Sequence, residues 1–142
     1  MTRFVIDAAT LVRIVVDDIP IDATHQLVAP SSIRSEALSL LFEAVRRGDL
    51  TEREALRYHE RLTELKMRLR GDRVSRRAAW DLARGEGWAS TRDSEYLALT
   101  RLQADALVTS DGALADKATG LVRLAPVGAL STPATGSCDR AD

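Results

Sequence analysis

The run Phe4-Val5-Ile6-Asp7-Ala8-Ala9-Thr10-Leu11 constrains the fold more than any other stretch. Three apolar residues end abruptly at an aspartate, and the run is short enough for a buried strand rather than a helix. A helical pattern starts at once, with Leu11, Val12, Val15 and Val16 at helix spacing. Asp7 therefore belongs where a central strand hands over to a helix. In open α/β sheets, ligands bind outside the carboxyl ends of the strands. A carboxylate at that spot is poorly placed for packing and well placed for chemistry. The position equally suits a helix-capping aspartate, and both readings stand at this point.

The rest of the chain continues the alternation. Residues 3–7 read as the first strand and 9–18 as a helix closed by Asp17-Asp18-Ile19-Pro20, since the residue before a proline avoids the helical region. Residues 26–29 form a second strand, and Pro30-Ser31-Ser32 turns the chain with a serine able to cap the next helix. Over 32–47, Ile33, Ala37, Leu40, Leu41, Ala44 and Val45 make an amphipathic stripe that Gly48 stops. Thr51-Glu52-Arg53-Glu54 is a capping box. The helix it opens carries an apolar row, Ala55, Tyr58, Leu62, Leu65 and Leu69, up to Gly71-Asp72.

A fourth helix spans 75–84. Residues from Trp88 read as a short strand or extended piece leading into a helix over 93–104. Strand 106–109, helix 112–119 and a last strand 121–124 complete the series. Such alternation predicts an α/β fold of three layers, a central parallel sheet of four to five strands covered by helices on both faces. One domain over 1–130 accounts for the core, and the Ser-, Thr-, Pro- and Gly-rich residues 131–142 read as a disordered tail.

Composition removes several classes of function. No apolar run approaches the roughly 20 residues needed to span a bilayer, and the N-terminus lacks the basic-then-apolar pattern of a secretory signal. The only cysteine, Cys138, lies in the tail, which leaves no disulfide framework and no Cys-based zinc site. A cytoplasmic protein is expected. The net charge of −1 predicts no bulk attraction to polyanions, but its distribution is uneven. Residues 46–92 carry 13 Lys+Arg against 8 Asp+Glu, while the remainder carries 7 against 13. A basic middle beside an acidic remainder fits a phosphate-binding rim around an acidic centre, and equally a set of solvated helix faces.

The acids fall in a pattern. Asp7 ends the first strand, Glu36 comes after the second on an early helical turn, Asp93 opens the helix after the expected strand near Trp88, and Asp111 leaves the strand 106–109. In a parallel sheet these exits point the same way, so four carboxylates are expected at one edge, with no lysine near any of them in sequence. Each also has a plain structural reading, as a solvated helical Glu or as a cap; Ser90 with Asp93 even matches a capping box. Carboxylates that close repel one another, and a divalent cation removes the conflict. An oxygen-only set points to Mg²⁺ or Mn²⁺ rather than zinc, and such a site suits hydrolysis of a phosphodiester. Asp116 is a candidate supporting residue or a solvated one, Asp105 precedes a strand and belongs at the opposite edge, and His25 and His59 have no partners at ligand spacing.

Four blocks carry a family resemblance: Val5-Ile6-Asp7-Ala8-Ala9-Thr10-Leu11-Val12, Ala29-Pro30-Ser31-Ser32-Ile33-Arg34-Ser35-Glu36-Ala37, Arg92-Asp93-Ser94-Glu95-Tyr96-Leu97-Ala98-Leu99 and Ala106-Leu107-Val108-Thr109-Ser110-Asp111. In order and spacing, over about residues 3–126, the chain resembles PIN-domain ribonucleases and, in size and layout, the VapC toxins of type II toxin–antitoxin systems. The resemblance implies Mg²⁺- or Mn²⁺-dependent endoribonuclease activity, with metal held by Asp7, Glu36, Asp93 and Asp111 and Thr109 in support. It also implies an RNA substrate such as tRNA or ribosomal RNA, a homodimer, and a cognate antitoxin that inserts at the active-site groove. Ala9 stands where the family often has Ser or Asn. Arg46, Arg47, Arg53 and Arg57 are candidate phosphate contacts. Two rivals remain. A haloacid-dehalogenase-like phosphatase needs a second Asp where Ala9 stands, and a catalytically inactive PIN-fold binding module would lack metal.

Overall fold

The computed structural model describes residues 1–134. Four strands, β1 (Thr2–Ile6), β2 (His25–Pro30), β3 (Arg68–Arg70) and β4 (Ala106–Val108), form one sheet in the order β3-β2-β1-β4. Every pairing is parallel, with Phe4 opposite Leu27, Val5 opposite Leu107 and Ala29 opposite Leu69. The helices are α1 (Ala8–Val16), α2 (Ile33–Arg46), α3 (Glu52–Glu64), α4 (Arg73–Glu86), α5 (Arg92–Gln103) and α6 (Gly112–Ala118). α1, α2 and α3 pack on one another, α4 packs on α5, and α5 lies against β1, β2 and β4. This is the expected three-layer α/β arrangement. Among the described residues no helix is long and apolar enough to cross a membrane.

The core explains the order of the layers. Val5, Ile6, Leu27, Val28 and Ala29 are buried on central strands with near-continuous apolar sequence, as a sheet covered on both faces requires. Leu11, Ile33, Leu41, Leu62 and Leu97 close over them, and each fully buried leucine contributes about 1.5–3 kcal/mol relative to exposure. Thr10, fully buried, ties α1 to the end of β4, because its hydroxyl donates to the Val108 carbonyl at 3.2 Å.

The sequence reading and the structure differ at three elements. α3 ends at Glu64, where Leu65 turns extended, and residues 68–70 pair with β2 as the third strand. Leu65 and Leu69 are four apart, a spacing that fits a continuing helix as well as a bend and a strand. Residues from Trp88 to Asp93 form no strand. Gly87, at φ 74°, closes α4 in the left-handed region, its N–H donates to the Ala83 and Arg84 carbonyls, and Trp88 N–H donates to Ala83 at 2.9 Å. The last expected strand is reduced to one parallel bridge, Leu107 to Leu124, on the free side of β4.

Asp105 lies at the opposite edge, as expected, where its carboxylate accepts from Arg3 N–H at 2.8 Å. The expected tail falls mostly outside the described residues, as does Cys138. Its first part is bonded to the body, since Ser131 donates to the Pro20 carbonyl at 2.7 Å and Ala134 N–H donates to Thr24 at 2.9 Å.

Candidate active site

The strand order places a crevice beside β1. The chain runs from β1 outward to β2 and β3, then returns to set β4 on the other side of β1. Ligands of open α/β sheets bind at such a reversal, outside the carboxyl ends of the strands. Here that edge holds an open cleft of about 430 Å³, and Asp7, Glu36, Asp93 and Asp111 all line it.

Two of these acids sit where their strands end and cap the helices that come next. Asp7, 4% exposed, accepts from Thr10 N–H at 3.0 Å through Oδ1. Asp111 accepts from Ala113 N–H at 2.9 Å through Oδ1. The capping reading and the site reading are thus compatible, because a cap engages one carboxylate oxygen. Thr109 links the two acids: its hydroxyl donates to Asp7 Oδ2 at 2.6 Å and accepts from Asp111 N–H at 2.9 Å. Thr10, by contrast, offers Asp7 only its backbone.

Glu36 is oriented from two sides, accepting at Oε2 from the Ser32 hydroxyl at 2.8 Å and from Tyr96 at 3.2 Å. Ser32 therefore makes no helix cap with its side chain; its hydroxyl goes to Glu36 instead. Burial first, then the carboxylates of Glu36 and Asp7, raise the Tyr96 hydroxyl far above its ordinary pKa, so it remains a donor at any physiological pH.

Asp93 departs from expectation. It follows no strand, and the Ser90–Asp93 capping box does not form. Thr91 occupies the cap position of α5 without a side-chain bond. The Asp93 carboxylate faces Lys117, whose ammonium donates to Oδ2 at 2.8 Å. A lysine does stand beside one of the four acids, brought there from the last turn of α6.

Several lining residues escaped the sequence reading. Ser39, Leu40 and Glu43 share the cleft with Glu36, Tyr96 shares it with Asp93, and Leu114 with Asp111. The signal was helical spacing of three, four or seven from each acid, which marks one face. Arg92 lines the cleft as well, from the position before Asp93. Arg46, Arg47, Arg53 and Arg57 do not line it; Arg47 pairs with Asp49 at 3.0 Å, and Arg53 and Arg57 lie on α3 beside Glu52 and Glu60. Asp116 is exposed on α6, outside the cleft lining.

The donor set is all oxygen, which suits a hard cation. Among the described residues no three acidic, histidine or cysteine groups gather closely enough to enclose an ion. Glu36 Oε1, Asp93 Oδ1 and Asp111 Oδ2 accept no hydrogen bond among the described residues.

No protein-family model matches the sequence, and no curated protein matches it. Solved structures do. PAE2754 from Pyrobaculum aerophilum superposes with a TM-score of 0.68 at 20% identity, covering 91% of this chain and 93% of its own. VapBC-1 from nontypeable Haemophilus influenzae superposes with a TM-score of 0.56 at 14% identity, covering 89% of this chain and 98% of its own. The chain has a PIN-like, VapC-type fold. Within that fold the four acids of the sequence resemblance, Asp7, Glu36, Asp93 and Asp111, share one cleft. Ala9 offers Asp7 no hydroxyl from α1, and Thr109 at the exit of β4 donates one.

Proposed function

We propose that this chain is a metal-dependent endoribonuclease, the toxin partner of a toxin–antitoxin pair acting in the cytoplasm. The observation that carries the reading is the convergence of Asp7, Glu36, Asp93 and Asp111, from four different elements, on one cleft at the strand exits. Those four residues would hold Mg²⁺ or Mn²⁺. When bound, the cation supplies positive charge that offsets the phosphodiester's and makes a water a better nucleophile near neutral pH.

The chain's own residues do the rest. Thr10 N–H and Thr109 fix Asp7 in one orientation, and Ser32 and Tyr96 fix Glu36, so neither carboxylate needs to reorganise when substrate arrives. Arg92 lines the cleft and is placed to meet a substrate phosphate. The VapBC-1 likeness supports an antitoxin partner, and the resemblance supports a homodimer.

One observation favours a second reading, a PIN-fold module that binds without cleaving: Lys117 supplies Asp93 with a cation of the protein's own. The two readings separate when purified protein is given labelled tRNA and ribosomal RNA with Mg²⁺, Mn²⁺ or EDTA, beside Asp7→Asn and Asp93→Asn. The nuclease yields discrete products that vanish with EDTA and in both variants. RNA binding without products in any metal would favour the module.

A further inference from the structure

The nuclease reading gives Lys117 no task, yet the fold holds its ammonium on two sides. Nζ donates to Asp93 Oδ2 at 2.8 Å, and it lies 5.2 Å from the centre of the Trp88 ring. Trp88 is half-buried against the core, anchored by the turn that ends α4, so its face is a fixed platform for a cation. The side chains of Lys117 and Asp93 are 39% and 29% exposed, a pair neither locked in the interior nor free in solvent. Lysine is rare in this chain, with Lys66 the only other. Its partner is one of the four acids that share the cleft, where Glu43 adds a fifth carboxylate.

We infer that Lys117 is the resident counter-ion of the acid cleft: its ammonium holds Asp93 Oδ2 until a divalent cation displaces it, and the freed ammonium then meets a substrate phosphate. This rests on the metal-nuclease reading and adds a regulator to the same site. The charges dictate the exchange. Carboxylates gathered in one cleft repel each other, and Lys117 relieves that repulsion at Asp93. A divalent cation taken by Asp93 would stand close enough to repel the ammonium from Oδ2. A four-carbon stem lets the ammonium swing away at small cost, and a compact point charge suits a phosphate oxygen. The indole face gives the displaced ammonium a position to leave, which makes Trp88 a reporter of the exchange.

Mg²⁺ titrations of the full chain test this, monitored by calorimetry and by Trp88 emission in a Trp80→Phe background. The forms compared are wild type, Lys117→Met, Lys117→Gln, Lys117→Arg and Asp7→Asn, each checked for folding by urea unfolding in EDTA. Removing one neighbouring positive charge tightens Mg²⁺ binding by about tenfold in Lys117→Met and Lys117→Gln, while Lys117→Arg binds as wild type does. Mg²⁺ changes Trp88 emission in wild type and leaves it unchanged in Lys117→Met. Equal or weaker Mg²⁺ affinity in the Met and Gln variants overturns the inference. If that result comes with binding that Asp7→Asn abolishes, the metal site stands and only the role of Lys117 falls. Mg²⁺ binding absent from every form removes both.

Discussion

Thr109 gives one hydroxyl two tasks, donating to Asp7 and accepting from the Asp111 backbone. It is thereby the side chain that sets two acids of the cleft relative to each other. Replacing it by the isosteric valine keeps the packing and removes both bonds. Loss of an orienting partner of this kind costs about 10–100-fold in metal affinity or activity. Thr109→Val is therefore expected to fold as the parent does and to lose that much RNA cleavage, with Thr109→Ser restoring it; gel assays at matched Mg²⁺ decide. Asp7 and Asp111 were legible in the sequence because each follows the end of an apolar strand run, a purely local signal, whereas Thr109 entered only through the family resemblance. Glu36 was legible from its place one turn after β2. Glu43 and Tyr96 were passed over although they stand seven and three residues beyond Glu36 and Asp93 on the same helix faces, and Lys117 meets Asp93 only in the folded chain. Ser32 was misjudged because capping and bonding to Glu36 use the same hydroxyl.

Among the elements, local chemistry decided what could be read. The capping box at Thr51 forms as its four-residue pattern specified, with Glu54 accepting from Thr51 N–H at 2.9 Å and Thr51 accepting from Glu54 N–H at 3.1 Å. The Thr51 backbone bond, and then its side-chain bond, hold the Glu54 carboxyl below its ordinary value of 4.5. Asp72 is held below 3.8 in the same way by Ser75 at the start of α4. A carboxylate with a depressed pKa in the folded state adds stability above its unfolded value, and that stability is lost as pH falls through the folded value. Urea midpoints are therefore expected to fall as pH is lowered from about 5 towards 3. Glu54→Gln should flatten part of that slope, and a slope identical to the parent's would remove the capping explanation. β3 was missed for the opposite reason: its three residues carry no pattern of their own and are a strand only because β2 offers an edge. Arg68 and Arg70 on that outer strand also account for part of the basic middle, since charge on an edge strand discourages pairing with other chains.

Over the whole molecule, the alternation of strand and helix predicted a parallel sheet, and the sheet is parallel throughout. The strand order was beyond the sequence, because nothing local says that β4 returns to the far side of β1. That return sets the exits of β1 and β4 next to each other and turns scattered acids into one cleft. The basic segment failed as a guide to the site for a related reason: α3 packs on α1 and α2, α4 packs on α5, and of its arginines Arg92 lines the cleft. The central question is whether the cleft holds a divalent cation, and Mn²⁺ binding monitored by electron paramagnetic resonance tests that most directly. Folded wild-type protein is expected to deplete the free Mn²⁺ signal saturably, Mg²⁺ to compete, and Asp7→Asn to bind far more weakly. Wild-type protein that leaves the Mn²⁺ signal untouched, or that binds it equally well with Asp7→Asn, would contradict the metal site and the nuclease built on it.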